Sequence, residues 1–563
     1  MKSANYPQRA IVRGGVFYFE NGSEVNLWGV NFQSNLYWEQ GFRRAPLGLQ
    51  GDPASIKAMN DRGFDEIAKL GCDLIRVHLT PADFTDEAGN LIPNQWLDML
   101  GYLLAKAREH RIYVALTFLN QMEFSLVRRS FIANCPRRDW LFDAGCLNAA
   151  HNYIRQLINW KNPCTGILLK EDLAVISWEP VNEPDYIRYD DMRLNAAYRS
   201  EFEGWLRKCD GAFNDWYFAQ WREKKVREII DGFQRLLCEE GVRQPMVWNA
   251  NWPRMMLGHE DVFRGIATSK ADAVSFCCYP GQDEVNEPFL QGARDTSGKN
   301  YIGFLQRCHD DYDHLGWLKS PQFSGKAVTV YEFEAMYNAK NSYVHPAMAK
   351  LFRALRAQMA TLWTYSFSDY ADRFSGSHLF NIACTPAKAA GFAVAGEMFR
   401  HTAAGSALQF RSQSDDSFDG FYLSYDNDLA VSANDGLLIH SGDITGCPVP
   451  QGAPPRRIIG RGNSPFVEYA GTGLYFLEID RDEIRLEILP HARFVRDPWK
   501  WWMDGKLVTE LDRETPATFR LRLPGWEGAR VFRVENGNRI PVPLAGPAFD
   551  LSPGVFLILQ SDP

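Results

Sequence analysis

Short apolar or β-branched runs recur through the first two thirds of the chain, and the segments between them carry apolar residues at helical spacing. Eight runs stand out: residues 25–31 (VNLWGVN), 72–78 (CDLIRVH), 112–118 (IYVALTF), 173–178 (LAVISW), 246–249 (MVWN), 273–278 (AVSFCC), 327–331 (AVTVY) and 360–365 (ATLWTY). Strands that alternate with helices point to a parallel sheet with crossover helices, and eight of them predict a closed (β/α)8 TIM barrel. Residues 94–110 (NQWLDMLGYLLAKAREH) read as one crossover helix, with basic side chains at its C-terminal end. Residues 215–241 read as another, whose Arg and Lys lie on a solvated face.

Two connections are long, 119–150 after the third strand and 185–245 after the fourth. Connections that follow strands build the C-terminal face of a barrel, so these two are expected to wall any pocket there. After about residue 400 the pattern changes to short alternating strands, among them 420–425 (GFYLSY), 473–479 (GLYFLEI), 517–523 (ATFRLRL) and 555–559 (VFLIL). We therefore divide the chain into an α/β barrel over 1–398 and a smaller C-terminal all-β, sandwich-like domain over 399–563. The Pro-rich stretch 447–457 (CPVPQGAPPRR) reads as a loop within it. The aromatic run 498–502 (PWKWW) is either a sugar-stacking platform or the filling of a domain interface.

Composition narrows the function classes. A net charge of -8, with no basic cluster, gives no nucleic-acid partner. No apolar stretch is long enough to span a bilayer, and the first residues lack the apolar segment of a secretory signal, so the expectation is no membrane partner and a cytoplasmic protein, or a secreted one if a leader has been removed. Eleven cysteines, an odd number without small-scaffold spacing, fit reduced thiols. Cys277 and Cys278 are adjacent, with no nearby CxxC or His, so spacing predicts no metal site and no cofactor.

The chemistry lies at two strand ends. Residues 173–185 (LAVISWEPVNEPD) form an apolar strand that delivers Glu179 and Glu183 at its C-terminal end, and 326–334 (KAVTVYEFE) repeats the arrangement with Glu332 and Glu334. Charge buried without a partner or a purpose is costly, and the C-terminal ends of barrel strands are where active sites lie. Two carboxylates facing each other there suit cleavage of a glycosidic bond, in which one protonates the leaving oxygen while the other stays ionised.

At this point the residues carry a resemblance. The run 162–184 (NPCTGILLKEDLAVISWEPVNEP) resembles the segment leading to the acid/base in glycoside hydrolase family 5, and is especially similar to its β-mannanase and β-mannosidase-like members. The resemblance spans roughly 10–398 and implies a retaining barrel glycosidase. Glu183 is then the acid/base, Glu332 the nucleophile, Asn182 a partner of the sugar 2-hydroxyl, and Arg76 the support of the nucleophile. Tyr279 matches the tyrosine beside the nucleophile and Trp363 the aromatic floor of the −1 subsite. Plain structural roles compete for Arg76, as an ion pair, and for Tyr279 and Trp363, as core. Trp178 is counted among the substrate contacts, Glu179 as network support, and Glu334 as a substrate contact or the partner of a base.

The sequence also departs from the family pattern. Cys277 stands where many members carry His, and the third strand (VALTFLNQ) ends without one; His78 either replaces them in part or is a packed structural residue. The resemblance implies retaining hydrolysis of β-linked hexosides, leaning to β-mannosides, and the lack of a secretory signal favours an exo-acting or oligosaccharide-directed enzyme. The alternatives are a β-glucosidase or endo-glucanase of the same fold, a non-catalytic carbohydrate-binding barrel, and a transglycosylase.

Overall fold

The computed structural model describes residues 6–32, 52–120, 139–280, 295–373, 378–410, 412, 414–434, 436–448, 454–496, 507–543 and 548–560. The run 498–502 lies outside the described residues, as does part of the loop at 447–457.

Eight parallel strands form the first part: Leu27–Asn31, Leu74–His78, Tyr113–Leu119, Val175–Val181, Val247–Asn249, Ala273–Cys278, Ala327–Phe333 and Ala357–Leu362, here barrel strands one to eight. They pair in the order 4-3-2-1-8-7-6-5, and a single parallel bridge between Trp178 and Met246 joins strand four to strand five, so the barrel is nearly closed. Each strand is buried along its length. That is why the sequence shows continuous apolar runs here, for the outer face packs on helices and the inner face on the other strands.

The helices form where the pattern places them. Gln95–Glu109 begins at Asn94, whose side chain accepts from the Trp96 and Leu97 amides, and ends with Lys106 and Arg108 in the last turn. Asp215–Glu239 buries Phe218, Trp221, Val226, Ile229, Ile230 and Phe233 along one stripe.

An N-terminal hairpin, Ala10–Arg13 with Val16–Phe19, closes the lower end of the barrel. Its Phe17 and Phe19 join one apolar cluster with Leu74, Tyr113, Val247, Ala273 and Ala327, each the first residue of its strand. Gln358 on strand eight fastens the hairpin, donating to the Phe17 carbonyl at 2.9 Å and accepting from its amide at 2.7 Å. With that end plugged, the C-terminal strand ends are the open side.

The C-terminal part consists of mostly antiparallel sheets, one of ten strands and smaller ones of three and two, with one parallel pair between Leu437–Ser441 and Arg457–Arg461. The strands read at 420–425, 473–479, 517–523 and 555–559 are present as Phe421–Ser424, Tyr475–Ile479, Ala517–Leu521 and Gly554–Leu559. Val467, Phe519 and Phe549 of the three-stranded sheet share a core with Leu477, Leu486 and Ile558 of the large one.

The last barrel helix, Pro386–His401, is buried nearly all round. Its inner side packs Phe392 and Phe399 on Trp28 of strand one, with ring centroids 5.3 and 5.4 Å away. Its outer side meets strands Leu429–Asn434, Leu437–Ser441 and Arg457–Arg461, so Ile439, Ile459 and Phe476 belong to the same apolar cluster as the barrel core. A helix apolar on every side has no face to give to water. A chain cut after residue 410 is therefore expected to be insoluble or to lose cooperative thermal unfolding, which expression yield and calorimetry measure against the full chain.

Candidate active site

Successive side chains on a strand point to opposite faces, so an apolar barrel strand hides one residue in two from the helices. At the open end those inward positions are polar: Asn31, Arg76, His78, Thr117, Glu179, Asn249 and Glu332, all buried. They form one network around Arg76.

The Arg76 guanidinium donates through Nε and Nη2 to Glu179 Oε2 at 2.9 and 2.5 Å, and through Nη1 to Glu332 Oε1 at 2.7 Å. It also donates to Asn182 Oδ1 at 2.8 Å and to Asn31 Oδ1 at 3.1 Å. A planar fork of five N–H groups suits this work, which a lysine ammonium cannot do. Glu179 also accepts from the Thr117 hydroxyl and, at 2.8 Å, from Asn249 Nδ2. Burial is the largest influence on Glu179 and raises its pKa, and these partners, every one of which donates to it, offset only part of that rise.

Glu332 accepts on its other oxygen from the Tyr279 hydroxyl, and His78 Nε2 stands 3.4 Å from Oε1. Burial alone would raise the Glu332 pKa, but His78, Arg76 and Tyr279 outweigh it and bring it down to about 2. Burial, then the Arg76 charge, lowers His78 to about 4, so its imidazole is neutral at pH 7. Burial and the Glu332 charge push Tyr279 well above the ordinary tyrosine range and keep it a donor.

Glu183, just beyond strand four, is buried and has a positive φ of 40°. That conformation is uncommon for a residue with a Cβ and costs on the order of 1 kcal/mol, a strain that functional sites retain. Its carboxylate oxygen, a Glu332 oxygen and the Cys277 sulfur all lie within 4.8 Å of one another. Among the described residues this is the only trio of His, Cys, Asp or Glu placed to hold a metal ion. Above them Trp363, Tyr279 and Cys277 pack together with Trp252 at their edge, and Trp363 lies 5.1 Å from the His78 ring.

Of the residues singled out from the sequence, the structure gathers Glu183, Glu332, Asn182, Arg76, Tyr279, His78 and Trp363 at this mouth. Two are elsewhere. Trp178 precedes inward-facing Glu179 by one residue and so faces the helices, fully buried, with its ring stacked on Phe118 at 5.3 Å and 2°. Glu334 is sealed behind the barrel, where Lys388 Nζ lies at 2.7 Å and His345 Nε2 at 3.0 Å; burial alone would raise its pKa, but the Lys388 charge and the His345 contact outweigh it and lower it. Trp178 thus packs between strand four and the helices, and Glu334 pairs with the basic residues Lys388 and His345, the second of the two readings its sequence position allowed. Sequence reading missed Asn31, Thr117, Asn249 and Trp252, although Asn31 and Asn249 each close an apolar strand with a polar side chain, the same signal that singled out Arg76.

The thiols depart from expectation at one position, because Cys146 is disulfide-bonded; nine other cysteines are free. No helix among the described residues is long and apolar enough to cross a membrane.

No protein-family model matches the chain. Among curated proteins it is similar to mannan endo-1,4-beta-mannosidase 3 of Oryza sativa subsp. japonica, 23% identical over 212 residues, which cover 36% of this chain and 42% of the relative. It is also similar to mannan endo-1,4-beta-mannosidase 7 of Arabidopsis thaliana, 24% identical over 204 residues, covering 34% of this chain and 47% of the relative. The chain thus spans less than half the length of these relatives. Among solved structures, the endo-beta-1,4-mannanase from Thermotoga petrophila aligns at 14% identity and a TM-score of 0.46, over 87% of this chain and 98% of its own. The similarity to β-mannanases read from 162–184 thus recurs in curated relatives over 36% and 34% of this chain.

Two groups at the mouth bind fewer protons folded than unfolded, so each makes stability fall as pH falls. For His78 the loss runs from about pH 6.5 down to about 4, and for Glu332 from about 4.5 down to about 2. Urea denaturation between pH 7 and pH 3 is expected to show both slopes, and His78→Gln to reduce the upper one, which His259 and His440, also lowered to about 4, share.

Proposed function

We propose that the chain is a retaining β-glycoside hydrolase of glycoside hydrolase family 5 acting on β-linked hexosides, with β-mannoside oligosaccharides as the favoured substrates. The observation that carries this reading is the approach of Glu183 and Glu332, from the ends of strands four and seven, to within 4.8 Å between carboxylate oxygens. Retaining glycosidases place their two carboxyl groups about 5 to 5.5 Å apart, whereas inverting ones leave roughly 6.5 Å or more for a water molecule.

In this reading Glu332 attacks the anomeric carbon as the carboxylate that Arg76, His78 and Tyr279 keep ionised. Glu183 gives its proton to the leaving oxygen as the bond breaks, and a glycosyl ester forms on Glu332. Water then enters, Glu183 takes its proton, and the ester is displaced with a second inversion, so configuration is retained. Asn182, held through its Oδ1 by Arg76, keeps its amide nitrogen for the sugar 2-hydroxyl, and Trp363 supports the ring. The lean to mannosides rests on the run 162–184 and on the mannan-degrading relatives.

Aryl β-mannoside, β-glucoside, β-galactoside and β-xyloside separate the candidate sugars. With the substrate that is turned over, Glu332→Ala is expected to abolish hydrolysis and azide to restore part of it as a glycosyl azide. Glu183→Ala should retain turnover of substrates with activated leaving groups, since these need no protonation. Undiminished activity in Glu332→Ala, or a product of inverted configuration by NMR, overturns the assignment.

A further inference from the structure

Cys277 is a residue that the proposed hydrolysis does not use. It is fully buried at the end of strand six, and its thiol has no hydrogen-bond partner among the described residues. Its sulfur nevertheless lies within 4.8 Å of oxygens of both Glu183 and Glu332. We propose that Glu183, Cys277 and Glu332 form a site for one thiophilic divalent cation, zinc or cadmium, which occupies the space between the two carboxylates and excludes substrate.

The donor set selects the metal. One thiolate with two carboxylates suits zinc and cadmium, while magnesium and calcium prefer oxygen alone. Zinc–sulfur and zinc–oxygen bonds of roughly 2.3 and 2.1 Å place tetrahedral ligand atoms about 3.5 Å apart, so the trio has to close by about an ångström, within reach of carboxylate rotation. Glu332 keeps room for the ion although Arg76 holds one oxygen and Tyr279 the other, because a carboxylate offers about four lone-pair sites. On binding, the Cys277 S–H bond breaks, the sulfur pair goes to the metal, and the proton leaves to solvent.

Binding and its inhibitory consequence are tested separately, since only the second rests on the proposed hydrolysis. Cadmium titration is followed by thiolate-to-metal absorption as the difference between wild type and Cys277→Ser, so that the exposed thiols Cys164, Cys209 and Cys238 cancel. A difference signal saturating at a single equivalent, and weakened in Glu183→Gln with its thiols intact, is the expected result. In the aryl glycoside assay, zinc is expected to inhibit competitively, reversibly on chelation, and Cys277→Ser to weaken that inhibition by roughly tenfold or more, the loss that even a supporting partner of a metal ligand carries. Equal cadmium signals in wild type and Cys277→Ser overturn the site, as does zinc inhibition that the substitution leaves unchanged. If Cys277→Ser does not fold, the wild type against Glu183→Gln decides, and equal titrations there overturn the site. A full cadmium signal in a protein that turns over no glycoside leaves the cation site standing and removes the hydrolase reading.

Discussion

Arg76 brings one positive charge to the floor of the barrel mouth, where Glu179 and Glu332 take it from two sides and Asn31 and Asn182 complete its fork. Burying an ion costs several kcal/mol, and a buried pair recovers that only when its geometry is good and its remaining donors and acceptors are satisfied. The arrangement meets this condition by spreading one guanidinium over partners from strands one, four and seven. It holds no spare donor for another acid. Glu183, a further carboxylate of the mouth, faces Glu332 and Cys277.

Glu332 receives Arg76, His78 and Tyr279 and is ionised across the whole physiological range. His78 performs its part as a neutral ring, because burial and the Arg76 charge keep it from protonating. Glu183 lies past the strand end on a strained backbone, near a thiol that burial and both neighbouring carboxylates hold protonated.

The barrel was legible because its strands are buried on both faces and so stand out as unbroken apolar runs such as LIRVH and AVTVYEF. The carboxylates were legible for the same reason, as charge at the end of a run where nothing else is charged. What the residues alone do not convey is direction and distance. Trp178 and Glu179 are neighbours in sequence and face opposite sides of strand four, because successive side chains on a strand alternate. Glu334 lies as close to Glu332 in sequence as a second site residue could, yet its partners Lys388 and His345 come from helices. No spacing rule reaches from strand seven to Lys388.

Cys277 shows the same limit from the opposite side. Its neighbour Cys278 invites a search for a paired-thiol motif, and that motif is absent because the two side chains leave strand six in opposite directions: Cys277 packs with Tyr279 and Trp363 in the mouth, Cys278 in the core beneath the helices. Ligands that meet in a barrel come from different strands, so their sequence separations are those of whole βα units and not of a local loop. A search confined to short spacings passes over Glu183, Cys277 and Glu332 as a set, although their donor atoms all lie within 4.8 Å of one another. The convergence of strand ends that builds a catalytic pair in this fold is therefore also able to build a metal-binding trio, and a single thiol in place of a nitrogen or oxygen ligand decides which cation it attracts.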